Sequence, residues 1–355
     1  MFIANQPMEL TGESAALTRT IISVIVPTLN EEGVIVQCLD SLVRQELPAD
    51  QFEVIVVDNG SVDKTVERVR TFEGSLNLTL LQQANSHVSA VRNLGARFAK
   101  GQFLAFLDAD CVAASDWLAR ALEALRSGDG GVIGAFYTIP KNSSWVARAW
   151  YRDMPRLRGP VSYVPAGTLF ISHKVFSELG GFDPGIETSE DFEFCQRVAA
   201  AGYGVLAVPC LSTVHLGTPQ TLSSFYRKQL WHGTGVRTVF LRNMRHAGFA
   251  KTVLLTVYTA FWMVAFVGTV AGAILTGKFA PLTLACAFLL VPPLALSLRT
   301  AAKRNRWASV APLVLLNFLY CVARAISLLG ATGHRAARPR ASSPCATSAD
   351  QGWAK

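Results

Sequence analysis

The first half of the chain alternates short apolar runs with segments of helical periodicity. Continuous apolar or β-branched runs, typical of strands buried on both faces, occupy residues 21–26, 52–57, 78–81 and 103–107. Segments with helical spacing lie between them, at 31–45, 64–72 and 88–100. This β-α-β-α-β-α-β series predicts an α/β fold with a mostly parallel sheet, right-handed crossovers and flanking helices. Ligands of such sheets bind beyond the carboxyl ends of the strands.

A different pattern begins near residue 253, where the 24 residues up to 276 contain no charge. At about 1.5 Å per residue, this stretch is long enough to cross a bilayer core of about 30 Å. A second uncharged stretch, 279–298, carries Pro292 and Pro293, a pair that bends helices. The two stretches together predict a membrane hairpin. A third apolar stretch, 307–329, contains Asn317 and Arg324, so it could span the membrane, lie at its interface or pack against the hairpin.

The net charge of +8 is divided unevenly along the chain. Residues 1–250 hold 22 Lys and Arg against 24 Asp and Glu, whereas residues 251–355 hold 11 against 1. A nucleic-acid-binding protein concentrates basic charge on its folded domain, so we expect no nucleic-acid partner. The Lys and Arg residues that flank the first two apolar stretches place residues 1–251 in the cytoplasm, as part of a multi-pass protein of the cell inner membrane.

The third apolar stretch decides where the C-terminal tail lies. A third span would carry Arg335, Arg338 and Arg340 to the outside, against the positive-inside rule. Two spans and an interfacial helix would keep these cations in the cytoplasm. The sequence leaves both arrangements open.

Distinctive polar residues follow three of the predicted strands, and the strand ends should meet at one edge of the sheet. The first loop holds a single glycine, Gly33, so the Gly-x-Gly-x-x-Gly fingerprint of dinucleotide binding is absent. Asp108 and Asp110 can aim two carboxylates at one point, which suits Mg²⁺ or Mn²⁺; a solvated acidic strand end is the alternative. The residues at the three strand ends are Pro27, Thr28, Asn30 and Glu31, then Asp58, then Asp108 and Asp110.

An ordered series of short motifs resembles the family 2 glycosyltransferases of the GT-A fold. The matching segments are 23–32, 56–65, 90–95, 106–110, 166–168, 180–183 and 189–193, and the resemblance covers roughly residues 21–240. Any one of these motifs is weak, but the series in this order is highly specific. Glu193 replaces an aspartate that is common in the Glu-Asp-x-Asp pattern of the family, and this departure leaves Asp191 in register.

The resemblance implies a role for each matched residue. The nucleotide-sugar pocket would be lined by Pro27, Thr28, Asn30, Glu31 and Gly167, with Asp58 at the base or ribose and Arg92 near the diphosphate. Asp110 would be the principal metal ligand and Asp108 would reach the ribose or the metal. In the Glu190-Asp191 pair, Asp191 would be the general base that removes the acceptor hydroxyl proton, and His215 could meet the metal from the other side.

Arg227 and Trp231 occupy two positions of a (Gln/Arg)-x-x-Arg-Trp element in the family, where they could contact the diphosphate and the acceptor sugar. Leu230 stands where the second arginine of that element would be, which puts its catalytic importance in doubt. An amphipathic helix at the membrane interface is the alternative interpretation of this segment. The basic and aromatic stretch 145–158 could likewise lie on anionic headgroups, cover the donor phosphates or be solvated.

Structural roles compete with the catalytic ones at several of these positions. Acidic residues in the first turn of a helix, such as Glu190 and Asp191, are also explained by capping and by the helix dipole. A lone histidine such as His215 is more often a hydrogen-bonded structural residue than a ligand.

The sequence thus predicts a membrane-anchored, metal-dependent, inverting hexosyltransferase of the cell envelope. It would move sugar from a UDP- or GDP-sugar to a hydroxyl of a glycan or lipid-linked acceptor beside the membrane lipids, and one base with one displacement implies inversion. A non-catalytic nucleotide-binding scaffold is the alternative; a pyrophosphorylase would need a Gly-rich, Arg-containing first loop, which is absent.

The sequence also predicts how the chain is divided into domains. An N-terminal extension (1–20) precedes a transferase domain (21–250), which has a nucleotide-binding half (21–115) and an acceptor half (116–250). A membrane region with two or three helices (251–330) and a disordered tail (331–355) follow.

Overall fold

A computed structural model describes residues 20–128, 131–151, 157–242 and 247–328, with side chains left out at 235–242, 247–252 and 304. Nearly all of the predicted N-terminal extension and the whole predicted tail lie outside these ranges. An eight-stranded sheet in the order β3-β2-β1-β4-β8-β6-β9-β7 forms the centre, beside a two-stranded sheet of β5 and β10. The strands are β1 Ile22–Thr28, β2 Phe52–Asp58, β3 Leu78–Gln82, β4 Phe103–Leu107, β5 Cys111–Val112, β6 Val132–Gly134, β7 Gly159–Pro160, β8 Thr168–Ser172, β9 Val205–Ala207 and β10 Val214–His215.

Strands β1 to β4 are parallel, as the alternating pattern predicts, and each begins and ends close to its predicted bounds. Strand β8 interrupts the parallel order because it runs antiparallel to both β4 and β6. The α/β fold with a mostly parallel sheet is therefore confirmed.

The helices are α1 Ile35–Val43, α2 Thr65–Arg70, α3 Val88–Phe98, α4 Trp117–Arg126, α5 Trp145–Trp150, α6 His173–Glu178, α7 Glu190–Ala200, α8 Leu222–Arg242, α9 Ala247–Thr276, α10 Ala280–Arg304 and α11 Val310–Leu328.

Each face of the sheet is covered by its own hydrophobic layer, because successive residues of a strand point to opposite faces. On one face, alternate residues of β1 and β2 pack against α1 and against Trp117 of α4. On the other face Phe106 lies within a cluster with Phe176, Phe182 and Phe194, in which neighbouring ring centroids are 4.9 to 5.4 Å apart. These layers hold the strand ends, and the polar residues that follow them, in fixed positions.

The first helix begins later than its periodicity predicts, at Ile35 instead of residue 31. The backbone N–H groups of Asn30 and Glu31 donate to the hydroxyls of Ser61 and Thr65 across the loop after β2. Asn30 also has a φ of 55°, which a right-handed helix does not accept. Residues 30–34 therefore form a loop at the carboxyl edge of the sheet, where a ligand can reach them.

Helices α9 and α10 form the predicted hairpin. The rings of Trp262 and Phe288 stack at 4.4 Å, and the Tyr258 hydroxyl donates to the Phe288 carbonyl oxygen at 3.0 Å. Pro292 and Pro293 lie inside α10, as predicted. Large apolar side chains are exposed along both helices, including Phe261, Val264, Ile274, Leu290 and Leu294. Three helical stretches are long and apolar enough to cross a membrane: Val253–Thr276, Ala280–Lys303 and Trp307–Leu328.

Helix α11 differs from the hairpin because it packs on the α/β domain as well as on its two apolar neighbours. Leu316 lies in a buried cluster with Val146 of α5 and Phe225 of α8, and the Ser327 hydroxyl donates to the Leu230 carbonyl of α8 at 2.9 Å. The Asn317 amide donates to the Ser297 hydroxyl of α10 at 2.8 Å. The polar residue that made the third stretch ambiguous thus has a partner in the hairpin.

Candidate active site

The carboxylates after β4 and a histidine from a distant strand meet at one point. Asp108 and Asp110 follow β4, and β5 pairs antiparallel with β10, which sets His215 opposite Cys111. Ligand atoms of Asp108, Asp110 and His215 all lie within 4.8 Å of one another, and His215 Nδ1 is 3.6 Å from Asp110 Oδ2. Burial lowers the pKa of His215, with Asp110 opposing, so the imidazole is neutral at pH 7 and able to bind a metal.

Two glycines let the backbone close over these carboxylates. A Cβ at Gly167 would lie 2.2 Å from Asp108 Oδ2, and a Cβ at Gly217 would lie 1.9 Å from Asp110 Oδ2. Any side chain at either position would displace the carboxylate, so the site requires glycine at both. Gly167 was predicted in the pocket; Gly217 was not, although it stands two residues after His215 in the sequence.

Asp108 is held by two donors on its inner side. Arg92 donates to Asp108 Oδ1 at 2.6 Å, and the Tyr137 hydroxyl donates to Oδ2 at 2.9 Å and accepts from the Gly167 N–H at 3.1 Å. Burial opposes ionisation of Asp108, but Arg92, followed by His215, holds its pKa below the usual value. Since both oxygens of Asp108 are engaged, Asp110 and His215 offer the more open ligand atoms for a divalent cation.

Arg92 connects Asp108, the residue that follows β4, to the start of α7. Its side chain is 5% exposed, and its guanidinium lies 2.5 Å from Glu190 Oε1 as well as 2.6 Å from Asp108 Oδ1. Its charge is thus shared between two carboxylates within the protein. The predicted contact of Arg92 with a diphosphate stays a prediction.

Asp191 lies next to the backbone that covers Asp108. Its Oδ2 accepts from the Ala166 N–H at 3.4 Å, one residue before Gly167, and its Oδ1 accepts from the Phe192 N–H at 2.8 Å. Ser189 is the N-cap residue of α7, and its side chain makes no capping hydrogen bond. Burial, together with the neighbouring Glu190 charge, raises the pKa of Asp191 to about 7. A carboxylate with this pKa can take a proton near neutral pH.

The predicted nucleotide residues build the adjoining loop. Asp58 is 1% exposed, and its carboxylate accepts from the Gly60 N–H at 3.1 Å and from the N–H and hydroxyl of Ser61. The Asn30 side chain accepts from the Val62 N–H at 2.9 Å, and the hydroxyl of Thr28 is buried with no partner among the described residues. These side chains shape the loops at the carboxyl edge; their contact with a nucleotide stays a prediction.

Helix α8 brings Lys228 close to the site, a cation that the sequence motifs did not predict there. Arg227 is exposed, whereas the ammonium group of its neighbour Lys228 donates to the Gly217 carbonyl at 3.4 Å, beside Asp110. The Trp231 ring lies 4.8 Å from that of His232. Of the basic stretch at 145–158, residues 152–156 lie outside the described ranges; Trp150 packs on Phe225 and on Tyr320 of α11.

The mostly parallel sheet with its flanking helices is that of the GT-A fold, and the segments after β4 and at β10 bring Asp108, Asp110 and His215 together. The chain belongs to the family 2 glycosyltransferases: the family described as glycosyl transferase family group 2 matches residues 103–322, more than half of the chain, and glycosyl transferase family 2 matches residues 23–180. The resemblance found in the sequence is thereby confirmed.

Similar proteins come from archaea and bacteria. Glycosyltransferase AglE of Haloferax volcanii is 29% identical over 231 residues, covering 63% of this chain and 75% of AglE. The poly(ribitol-phosphate) β-N-acetylglucosaminyltransferase TarS of Staphylococcus aureus is 42% identical over 90 residues, which are 25% of this chain and 16% of TarS. A mannosyltransferase from Pyrobaculum calidifontis, solved with GDP-mannose and Mn²⁺, superposes with a TM-score of 0.60 at 21% identity over 89% of this chain and 88% of that one, and so shares the fold.

Proposed function

We propose that this glycosyltransferase is membrane-anchored and inverting, and that it moves a hexose from a UDP- or GDP-sugar to a hydroxyl of a glycan or lipid-linked acceptor in the cell envelope. One observation carries the proposal: the Ala166–Gly167 backbone meets both the Asp108–Asp110–His215 cluster, through Gly167, and Asp191, through the Ala166 N–H. A donor diphosphate at the cluster and an acceptor hydroxyl at Asp191 would then lie beside the same sugar.

Asp110 and His215, with Asp108, would hold Mg²⁺ or Mn²⁺. The donor set fits such a cation because it combines hard carboxylate oxygens with a neutral imidazole, and because Gly167 and Gly217 leave the carboxylates uncovered by side chains. A bound cation would neutralise the negative charge that develops on the departing diphosphate. The Pyrobaculum mannosyltransferase, which shares this fold and was solved with GDP-mannose and Mn²⁺, supports the assignment.

Asp191 would take the proton of the acceptor hydroxyl as that oxygen attacks the anomeric carbon. A base on one face of the sugar and a leaving group on the other make a single displacement, which inverts the anomeric centre. Glu190 cannot share this role while it is paired with Arg92 at 2.5 Å. We therefore assign Glu190 and Arg92 to positioning: they fix the start of α7 relative to the strand that carries Asp108.

The hairpin α9–α10 would span the inner membrane and α11 would lie at its cytoplasmic interface. The lipid-facing surface of the hairpin is exposed and apolar, while α11 is covered by α5 and α8 from Leu316 to Ser327. With two spans, both termini stay on the cytoplasmic side together with the catalytic domain, which satisfies the positive-inside rule.

Donor hydrolysis by the purified full-length protein tests the proposal. A panel of UDP- and GDP-sugars, with and without Mn²⁺, should show metal-dependent hydrolysis of one donor. Asp110→Ala should abolish it, whereas Asp50→Ala, at an exposed loop position, should leave it unchanged. Nucleotide binding without hydrolysis of any donor, and no effect of Asp110→Ala, would support the non-catalytic scaffold instead.

A further inference from the structure

Two cations and a neutral histidine lie near the contact of α8 with α11. Lys228 and His232 are four residues apart and so lie on one face of α8. The next residue, Gly233, is in contact with α11: a Cβ there would lie 3.7 Å from Arg324 Cδ and 2.4 Å from Ser327 Oγ. Burial, followed by the charges of Lys228, Arg324 and His215, lowers the pKa of His232 well below its usual value, so its imidazole is neutral at pH 7. The cations near this contact are therefore Lys228 and Arg324, and His232 adds a neutral N–H.

In the part of the chain that the structure describes, no carboxylate forms an ion pair with either cation. Glu193 is the last acidic residue before Asp350, so α8 to α11 contain none. Among the described residues, neither Lys228 nor Arg324 lies in an ion pair, and the Arg324 Nε is buried without a hydrogen-bond partner. The guanidinium of Arg324 instead lies 5.2 Å from the Tyr320 ring. Arg324 lies before the last turn of α11, which holds no basic residue, so compensation of the helix dipole does not explain this cation.

This group of cations borders the catalytic pocket at two points. Lys228 reaches the Gly217 carbonyl, and Gly217 lies against Asp110. At the other point, the Thr188 hydroxyl, two residues before Glu190, donates to the His232 carbonyl at 3.3 Å. An anion held by the cations would therefore lie next to the segments that carry Asp110 and Asp191.

We propose that Lys228, His232 and Arg324 bind a phosphate carried by a lipid-linked acceptor, while Asp191 receives the acceptor hydroxyl. The inference rests on the proposed glycosyltransferase function and names its acceptor class. A charged side chain without an ion-pair partner in an apolar helix costs free energy unless a ligand of opposite charge binds to it. A phosphate supplies the missing negative charge, and the exposed apolar surface of the neighbouring helices suits the attached lipid chain.

The test measures binding of dodecyl phosphate to the full-length protein in phosphatidylcholine nanodiscs, by the fluorescence of the neighbouring tryptophans. No donor or metal is present, so the result is independent of catalysis and separates this inference from the proposed transfer reaction. We expect saturable binding of dodecyl phosphate and none of dodecanol. Affinity should fall about tenfold or more in Arg324→Gln and in Lys228→Gln, and less in Arg324→Lys. Arg299→Gln, at an exposed position on α10, is the matched control and should leave affinity unchanged.

Other outcomes overturn the proposal. Equal affinity in Arg324→Gln and Lys228→Gln would show that the cations do not hold the phosphate, and equal binding of dodecanol would show an apolar groove only. Inorganic phosphate that competes at equal concentration would assign the cations to a soluble phosphate compound. Competition by phosphatidylglycerol nanodiscs as strong as that of dodecyl phosphate would assign them to a membrane headgroup.

Discussion

The strand side and the helix side of the pocket carry opposite charge. On the strand side, Asp108 and Glu190 pair with the buried guanidinium of Arg92, while Asp110 and Asp191 form no ion pair with it. On the helix side, the cations of α8 and α11 face one another in a segment without any acid. Neither side is neutral by itself, so each side suits a ligand of the opposite charge. The acidic strand ends suit a cation, and the basic helix side near the membrane suits an anion.

The two sides also differ in how they are held. Hydrogen bonds and hydrophobic layers fix the strand side, where Arg92, Tyr137 and the backbone at Gly167 hold Asp108 in place. The helix side is held by contacts between apolar helices and a few polar pairs, such as Asn317 with Ser297. Substitutions should therefore have sharp, local effects on the strand side and smaller, graded effects on the helix side.

The largest effect is expected for Asp191→Asn. Loss of the general base should lower the rate of transfer by roughly 10² to 10⁴. Metal-dependent binding of the nucleotide should change little, because Asp191 is not one of the three side chains of the metal cluster. The measurement is the rate of sugar transfer at saturating donor, with Asp183→Asn, at a half-buried position outside the site, as the control. An Asp191→Asn enzyme with an undiminished rate would remove Asp191 from the chemistry.

Arg92→Met should be the most destabilising of the variants considered. It leaves the buried Glu190 and the neighbouring Asp108 without their shared partner, and breaking a buried pair in this way costs about 3 to 5 kcal/mol. Thermal unfolding of the full-length protein in detergent measures the effect. Arg70→Met is the matched control: Arg70 and Glu73 form an exposed pair at 3.5 Å, whose loss should cost less than about 1 kcal/mol. Equal losses in the two variants would contradict the positioning role.

Gly217→Ala tests the cover over the metal cluster. The added Cβ would lie 1.9 Å from Asp110 Oδ2, so Asp110 has to turn away from His215. Displacing a ligand in this way should lower the affinity for Mn²⁺ by about 10- to 100-fold, as measured from the Mn²⁺ dependence of donor hydrolysis. Gly74→Ala is the control, since no atom lies within 4 Å of a Cβ there. An unchanged Mn²⁺ dependence would argue against Asp110 as a ligand.

The sequence predicts the strand side better than the helix side for a physical reason. Asp108 and Asp110 directly follow a predicted strand, so connectivity places them at the edge of the sheet, and the resemblance of its short motif to the family adds Asp191. Tyr137 and Gly217 could not be found in this way, because they reach the site through the antiparallel insertion of β8 and the pairing of β10 with β5. Arg324 stands out in the sequence as a charge in an apolar stretch, but only the packing of α11 on α8 shows which cations it faces.

The pH dependence of stability should distinguish Asp191 from an ordinary surface carboxylate. Its pKa is raised to about 7 in the folded state, so the protein binds more protons folded than unfolded between about pH 4 and 7. Stability is therefore lost as pH rises through this window. Asp191→Asn removes the effect and should stabilise the protein by about 2 kcal/mol at pH 8, allowing for partial exposure, and hardly at all at pH 4. A gain of equal size at both pH values would contradict the raised pKa.

The smallest effect is expected at the contact between α10 and α11. Hydrogen bonds between apolar helices contribute about 0.6 kcal/mol on average, because the separated helices find other partners. Asn317→Leu and Ser297→Ala should each lower the unfolding temperature slightly. Since Asn317 donates to the Ser297 hydroxyl at 2.8 Å, the double variant should lose less than the sum of the two single losses. Fully additive losses in this double-mutant cycle would mean that the bond does not hold α11 against the hairpin, and that contacts with α5 and α8 place it alone.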